Sequence, residues 1–414
     1  MTVIVKQLVD VLGTSAVLTG DDLAGRSAGI WSSEPLRALA LVRPSSTEEV
    51  AAVLRICNEA GQAVVPAGGM TGLAEGHESC DSDVVLSLER MNRIEPCDTR
   101  ARTLTVEAGA ILQNVQDAAS DAGLMFPLDL GARASCTIGG NIATNAGGVR
   151  VLRYGMMRDL VLGLEAVLAD GTVINSMFDM LKNNTGYDLR QMFLGSEGTL
   201  GVVTRAVLRL YEAPVSIETV LVAVPSWENV MRLLRYADGA LAGGLVAYEV
   251  LWRNFYELNT GEHSTLSSPL ETESPYYVII DAFIADAETG REKLEALLMQ
   301  SLDDGLIVDG ALAMSEAQRR SFWLIREDFE PEQKKYAKIY GYDVSLPIEA
   351  MEQYVDDVRS ALLEKYSDAS LYAYGHVGDG NIHFSIFPGE QDNVDGVNQC
   401  VYKPLKELKG SVSA

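Results

Sequence analysis

The chain has 414 residues, 47% of them hydrophobic, and a formal net charge of -25, which is length enough for two or three domains with substantial cores. So acidic a chain argues against nucleic acid and anionic membrane as partners, and no run approaches the ~18 consecutive apolar residues of a membrane span. Met1–Lys6 lacks the layout of a signal peptide, and the five cysteines (Cys57, Cys80, Cys97, Cys136 and Cys400) are scattered, odd in number and form no CxxC pair. The expectation is a cytoplasmic protein with reduced thiols.

In chain order, Leu39–Val42 reads as a short buried strand. Ser46 and Glu49 suggest a Ser-x-x-Glu capping box. Val50, Val53, Leu54 and Cys57 then recur at helical spacing up to Gly61. Ala63–Val65 is a strand running into a glycine loop, Pro66–Leu73, and Val84–Leu88 and Leu104–Val106 are further strands. Ile111, Leu112, Val115 and Ala119 give a second amphipathic helix. Leu164–Ile174 alternates around Asp170-Gly171, a hairpin dipeptide, and Leu200–Leu210 is rich in β-branched residues. Pro214 marks a boundary, after which the pattern restarts: Val220–Val224 and Tyr277–Phe283 as strands, Trp227–Ala237 and residues 287–303 as helices. The fold class is α+β, with domains at 1–214 and 215–414.

Three regions rich in glycine and other small residues stand out. Gly68, Gly69 and Gly72 follow a strand directly. Consecutive backbone N–H groups in such a loop form an anion nest suited to a pyrophosphate, and Thr71 adds a hydroxyl, although a plain turn has the same composition. The loop is neither Gly-x-Gly-x-x-Gly nor a P-loop. The second region, Pro127–Gly148, lacks bulky side chains, so backbone can approach a flat ring system closely. The third is Phe193–Gly201.

In the second half, Tyr374-Gly-His-Val-Gly-Asp-Gly-Asn-Ile-His-Phe384 carries two of the four histidines. A two-residue turn at Asp379-Gly380 would set His376 opposite His383, both on one face with Asn381. That is half a metal site or a tight hairpin with paired side chains, since catalytic zinc usually takes three protein ligands. Arg326, in Phe322-Trp-Leu-Ile-Arg-Glu327, is suited to a carboxylate by its guanidinium fork, or is a solvated helix charge.

Thr137-Ile-Gly-Gly-Asn141, Asn145-Ala-Gly-Gly148 and Gly195-Ser-Glu-Gly-Thr-Leu-Gly201, in this order, resemble a PCMH-type flavoprotein of the vanillyl-alcohol oxidase superfamily. The resemblance runs from about Pro44 to Ala414 and is closest to D-lactate dehydrogenases, glycolate oxidase flavin subunits and D-2-hydroxyglutarate dehydrogenases. It implies a two-lobed FAD-binding domain followed by an α+β substrate (cap) domain with an antiparallel sheet. Pro66, Gly68, Gly69, Thr71, Gly72 and Leu73 would hold the pyrophosphate. Pro127, Ser135, Thr137, Gly139, Gly140, Asn145 and Gly147 would line the flavin, and Gly198, Gly201 and Val202 would approach the adenine half. No histidine falls in the Pro66–Leu73 loop, so the FAD is expected to be non-covalent, with His77 a solvated loop residue.

The same resemblance implies His376 and His383 as metal ligands, with zinc as the ion, Arg326 as the carboxylate anchor and Asn381 near the flavin. Arg326, Asn381 and His383 are the expected catalytic residues. The implied reaction is oxidation of a small D-2-hydroxy acid to the 2-oxo acid, with an electron acceptor the sequence does not name. A homodimer is compatible with it. Three positions depart from the hydroxyglutarate pattern: Gly341 stands where those enzymes have lysine, Glu330 where they have threonine and Ser385 where they have asparagine. Lactate, glycolate or another monocarboxylate is therefore at least as well supported. The match also stops at Gly410–Ala414, where the family continues with Glu-His-Gly, a ligand and a base. The expectation is a fragment or truncated reading frame, and the alternative function is a non-catalytic or partner-dependent flavin-binding subunit. A zinc hydrolase would explain the histidines but not the glycine regions.

Overall fold

The computed structural model describes residues 2–29, 34–74, 76–390 and 393–413; Met1 and Ala414, the outer limits of the expected domains, lie outside them. The chain forms two compact units, one holding Met1–Gly148 and Tyr154–Ala213, the other Val149–Arg153 and Pro214–Ser413.

The first unit contains two four-stranded sheets. In one, Ala40–Val42, Val84–Ser87 and Val64–Ala67 run parallel and Val17–Leu18 joins antiparallel. The parallel strands are apolar and bridged by the helix Thr47–Glu59, as parallel pairs require a crossover. The Ser46 hydroxyl caps that helix, accepting from Glu49 N at 3.3 Å. The reciprocal half of the expected box does not form: the Glu49 carboxylate accepts from Ser45 N, at 2.6 Å. The other sheet is antiparallel, ordered Thr103–Glu107, Val202–Arg209, Val161–Val167, Val173–Ser176. Its hairpin at Asp170-Gly171 is wider than two residues, because Val167 pairs with Val173 and leaves five in the connection.

The second unit is built on an antiparallel sheet of eight strands among the described residues. Their order is Asp309–Leu312, Ser216–Val224, Tyr276–Ile284, Leu245–Trp252, Ser370–Gly375, Asn381–Phe387, Tyr340–Ser345, Ser411–Val412. Side chains alternate faces along each strand. Val220, Val222, Tyr342, Val344, Ile382 and Phe384 join one core with residues of the helices Trp227–Leu241, Met351–Lys365 and Val394–Glu407. Leu221, Ala223, Ala247, Leu251, Tyr372 and Tyr374 face the other way, against the helices Arg253–Thr260 and Glu316–Glu327. Alternation therefore puts Glu249, Asp343 and His383 on this second face. No helix among the described residues is long and apolar enough to cross a membrane.

Candidate active site

The first unit holds a cavity of about 380 Å³ whose walls include Gly68, Gly69, Ser135 and Thr137. These four come from two of the three glycine regions, brought together because glycine lets backbone meet backbone. A Cβ on Gly69 would lie 2.2 Å from the Ser135 carbonyl oxygen, and one on Gly68 would lie 2.7 Å from Thr137 Oγ1. Thr137 caps the short helix Ile138–Ala143, accepting from Gly140 N at 3.3 Å. The third region closes on the first, with Gly198 packed against the Pro66 ring. Gly201 lies against the Val167 carbonyl, and Val202 opens the strand that continues from it.

Other expected cofactor residues stand differently. Thr71, Gly72 and Leu73 are not in the cavity wall, and Leu73 is 72% exposed. The Asn145 side chain serves the protein, accepting from Arg158 N at 2.9 Å. Pro127 is buried, and Gly147 lies in the irregular segment that follows the turn after Ile138–Ala143. Sequence reasoning missed Leu88, Glu89, Asn92, Gly109, Ile111 and Asn114, which with Ala67 complete the wall and carry no local signature. A cavity whose glycines let the backbone segments around it pack more closely than any Cβ would allow, with the Ser135 and Thr137 side chains in its wall, fits a flat cofactor linked through phosphates.

The second unit gathers its polar residues on the helix-covered sheet face. Tyr374 pairs with both Leu251 and His383, and His383 with Asp343. In the next row, one step past the last paired residues, Glu249 lies beside His376, and Asn381 pairs with Ser345. The expected register put His376 opposite His383. Instead the connection is a short 3-10 turn, Val377–Asp379, closed by Gly380 at φ 89°, and Tyr374 takes the place opposite His383. A slip of two residues keeps every side chain on its face, so the imidazoles still meet, with ring centroids 5.1 Å apart.

Two carboxylates organise this face. Glu249, fully buried, accepts from Arg326 Nε at 3.1 Å through Oε2 and contacts His376 Nδ1 through Oε1. Asp343 lies 3.2 Å from His383 Nδ1 and accepts from Asn381 Nδ2 at 2.5 Å. Arg326 sits in the last turn of Glu316–Glu327, a helix capped by Ser315 and seated by Phe322, Trp323 and Ile325, and its guanidinium lies over the Tyr374 ring. Burial alone would raise Glu249, but His376 and Arg326 outweigh it and hold the carboxyl at about 2. Burial favours neutral imidazole in both rings. For His376 the Glu249 charge overrides this and raises its pKa, whereas for His383 burial prevails over Asp343 and lowers it. Burial pushes Asp379 up to about 7. His383 Nε2 and Asn381 Oδ1 are buried without a partner.

Arg326, His376, Asn381 and His383 are thus brought together as expected. Glu249 and Asp343 were missed. Asp343 lies in the strand Tyr340–Ser345, which was not among the expected strands, and Glu249 lies in an apolar strand with no motif around it. The expected zinc set is incomplete, since the described residues contain no group of three or more His, Cys, Asp or Glu able to hold a metal ion.

A glycine-walled cradle in one unit and a carboxylate-organised polar face in the other define a two-unit flavoprotein of the FAD-linked oxidase type. Residues 38–176 match the FAD binding domain family, and residues 213–414 match the C-terminal domain of FAD linked oxidases. A D-2-hydroxyglutarate dehydrogenase of Xanthomonas citri is 38% identical over 396 residues, 93% of this chain and 81% of that protein. A Schizosaccharomyces pombe protein provisionally named a D-lactate dehydrogenase is 37% identical over 386 residues, 90% of this chain and 73% of its own. The solved structure of alkyldihydroxyacetonephosphate synthase shares the fold at a TM-score of 0.76 and 16% identity, covering 99% of this chain and 80% of that one. The chain belongs to the FAD-linked oxidase family, in the branch of FAD-dependent dehydrogenases that oxidise the CH–OH group of 2-hydroxy acids.

Proposed function

We propose that the protein oxidises a small D-2-hydroxy acid to the 2-oxo acid on the sheet face of its second unit. The observation that carries this is Arg326 beside His376, Asn381 and His383, in a chain whose first unit is an FAD cradle. FAD, held at Gly68, Gly69, Ser135 and Thr137, would supply the acceptor for the C2 hydride. With Nε committed to Glu249, Arg326 offers its Nη groups to the substrate carboxylate, the two-point match that guanidinium makes best. The partnerless Nε2 of His383 accepts the hydroxyl hydrogen, with Asp343 orienting the ring from Nδ1. The Asn381 Oδ1, also partnerless, is the nearby acceptor that its bond to Asp343 fixes in place. In the row beyond His383, Ser385 pairs with Gly341. Neither supplies a cation for a second carboxylate, although Lys335 reaches the Tyr372 hydroxyl in the same row, so lactate and glycolate stand at least as well supported as 2-hydroxyglutarate.

The test is anaerobic addition of D-lactate, glycolate, D-2-hydroxyglutarate and L-lactate to the FAD-loaded protein, following the visible flavin band. Bleaching by a D-acid supports the reading. A flavin spectrum that no acid bleaches returns the chain to a flavin-binding subunit without its own catalysis. A second reading keeps zinc between the rings, favoured by the buried, unpartnered His383 Nε2 beside His376. Elemental analysis of the purified protein decides it: about one zinc per chain, lost in His383→Gln, against none.

A further inference from the structure

Glu249 belongs to none of the motifs, yet it touches both Arg326, the proposed carboxylate anchor, and His376 beside it on the polar face. We infer that Glu249 is a positioning residue that locks Arg326 and His376 into one unit and selects which of their atoms face the ligand. This rests on the reading of Arg326 as the carboxylate anchor. Its Oε2 takes the guanidinium Nε and its Oε1 takes the imidazole Nδ1, so what remains for a ligand is the Nη edge and Nε2. The carboxylate is wholly buried, and the pair it holds is nearly so, with side chains 11% and 14% exposed. In so dry a setting a carboxylate offers a separate, charged acceptor oxygen to each of the two donors. Its place is set by the fold: strand Leu245–Trp252 pairs with Ser370–Gly375 only at Val250–Gly375 and Leu251–Tyr374, and Glu249 is the next residue along, beside His376. The helix carrying Arg326 and the turn carrying His376 are remote in sequence, and Glu249 bonds to both.

An amide in its place is neutral and has one acceptor oxygen where the carboxylate has two, so it cannot take Arg326 Nε and His376 Nδ1 on separate oxygens. Glu249→Gln in the FAD-loaded protein should raise KM for the acid that bleaches the flavin by on the order of tenfold or more. The flavin spectrum should be unchanged. Combined with Arg326→Ala, it should raise KM little beyond the single Arg326→Ala change, because both act through the same contact. The readout independent of turnover is the ¹⁵N spectrum of histidine-labelled protein, simple to assign with four histidines. Glu249→Gln should move the His376 ring nitrogens and leave His263 in place. Glu249→Asp, which keeps the charge but shortens the reach, gives the same readouts if the amide variant folds poorly. Wild-type KM, additive effects in the double variant, or an unmoved His376 signal would each overturn the inference. If the wild-type flavin is bleached by no acid, the functional reading fails, and the His376 signal still decides the role of Glu249.

Discussion

The unit that matches the FAD binding domain and the unit proposed to read the substrate would hold a polar ligand in opposite ways. The first uses backbone: Gly68 and Gly69 press against Ser135 and Thr137, and its cavity-wall carboxylate Glu89, which burial would raise, is held low by Arg26 and Arg43. The second uses side-chain charge inside a sheet–helix core. It keeps Glu249 ionised by surrounding it with cations, while burial pushes Asp281 up to about 6 and Glu332 up to about 7. A backbone cradle tolerates no added volume, whereas a charged face tolerates no lost partner. The two should therefore fail to different substitutions.

The largest effect is expected from Gly69→Val, whose side chain would enter the Ser135 backbone. The purified variant should carry no visible flavin band, and one with normal flavin content would break the comparison. Next comes Arg326→Ala. Losing one partner of a buried, hydrogen-bonded pair costs about 2–5 kcal/mol, so kcat/KM should fall on the order of a hundredfold while the flavin remains. Steady-state kinetics with the best acid measures this.

The same contrast explains what the sequence revealed. The glycine-loop part of the cradle was legible because glycine loops are contiguous and their restriction is local, whereas the wall residues between Leu88 and Asn114 were not. The two histidines and Asn381 were legible for the same reason. The register between them was not, because Asp379-Gly380 looks like a two-residue turn, while the chain spends residues 377–379 on a 3-10 turn. Glu249 was illegible. In Leu245-Val-Ala-Tyr-Glu-Val-Leu-Trp252 one acid among apolar residues gives no sign of its partners, which lie 77 and 127 positions away.

A smaller effect tests the cost of buried acids. The Glu332 carboxyl sits above its ordinary 4.5 at about 7, so the fold favours its protonated form. That contribution is complete below the ordinary value and is lost as pH rises through about 7, which amounts to about 3 kcal/mol. Glu332→Gln should therefore stabilise the protein at about pH 8 and change little at about pH 4.5. Chemical denaturation at the two pH values reads this, and equal effects at both would contradict the account. Smaller still, Asp343→Asn keeps the shape of the group that orients His383 and Asn381. It should lower kcat by on the order of tenfold with flavin content unchanged. The smallest effect is none: His77→Gln should leave the flavin as readily released by denaturant as in the wild type, because the flavin is expected to be held without a covalent bond.

In the proposed reaction, flavin is held by one unit and the acid is read by the other, through Arg326. Anaerobic mixing of FAD-loaded wild type and Arg326→Ala with the same D-2-hydroxy acid tests it most directly. The account predicts equal flavin bands before mixing, fast bleaching in the wild type and bleaching on the order of a hundredfold slower in the variant at low substrate. Bleaching at the wild-type rate, or loss of the flavin band from Arg326→Ala before any acid is added, would contradict it.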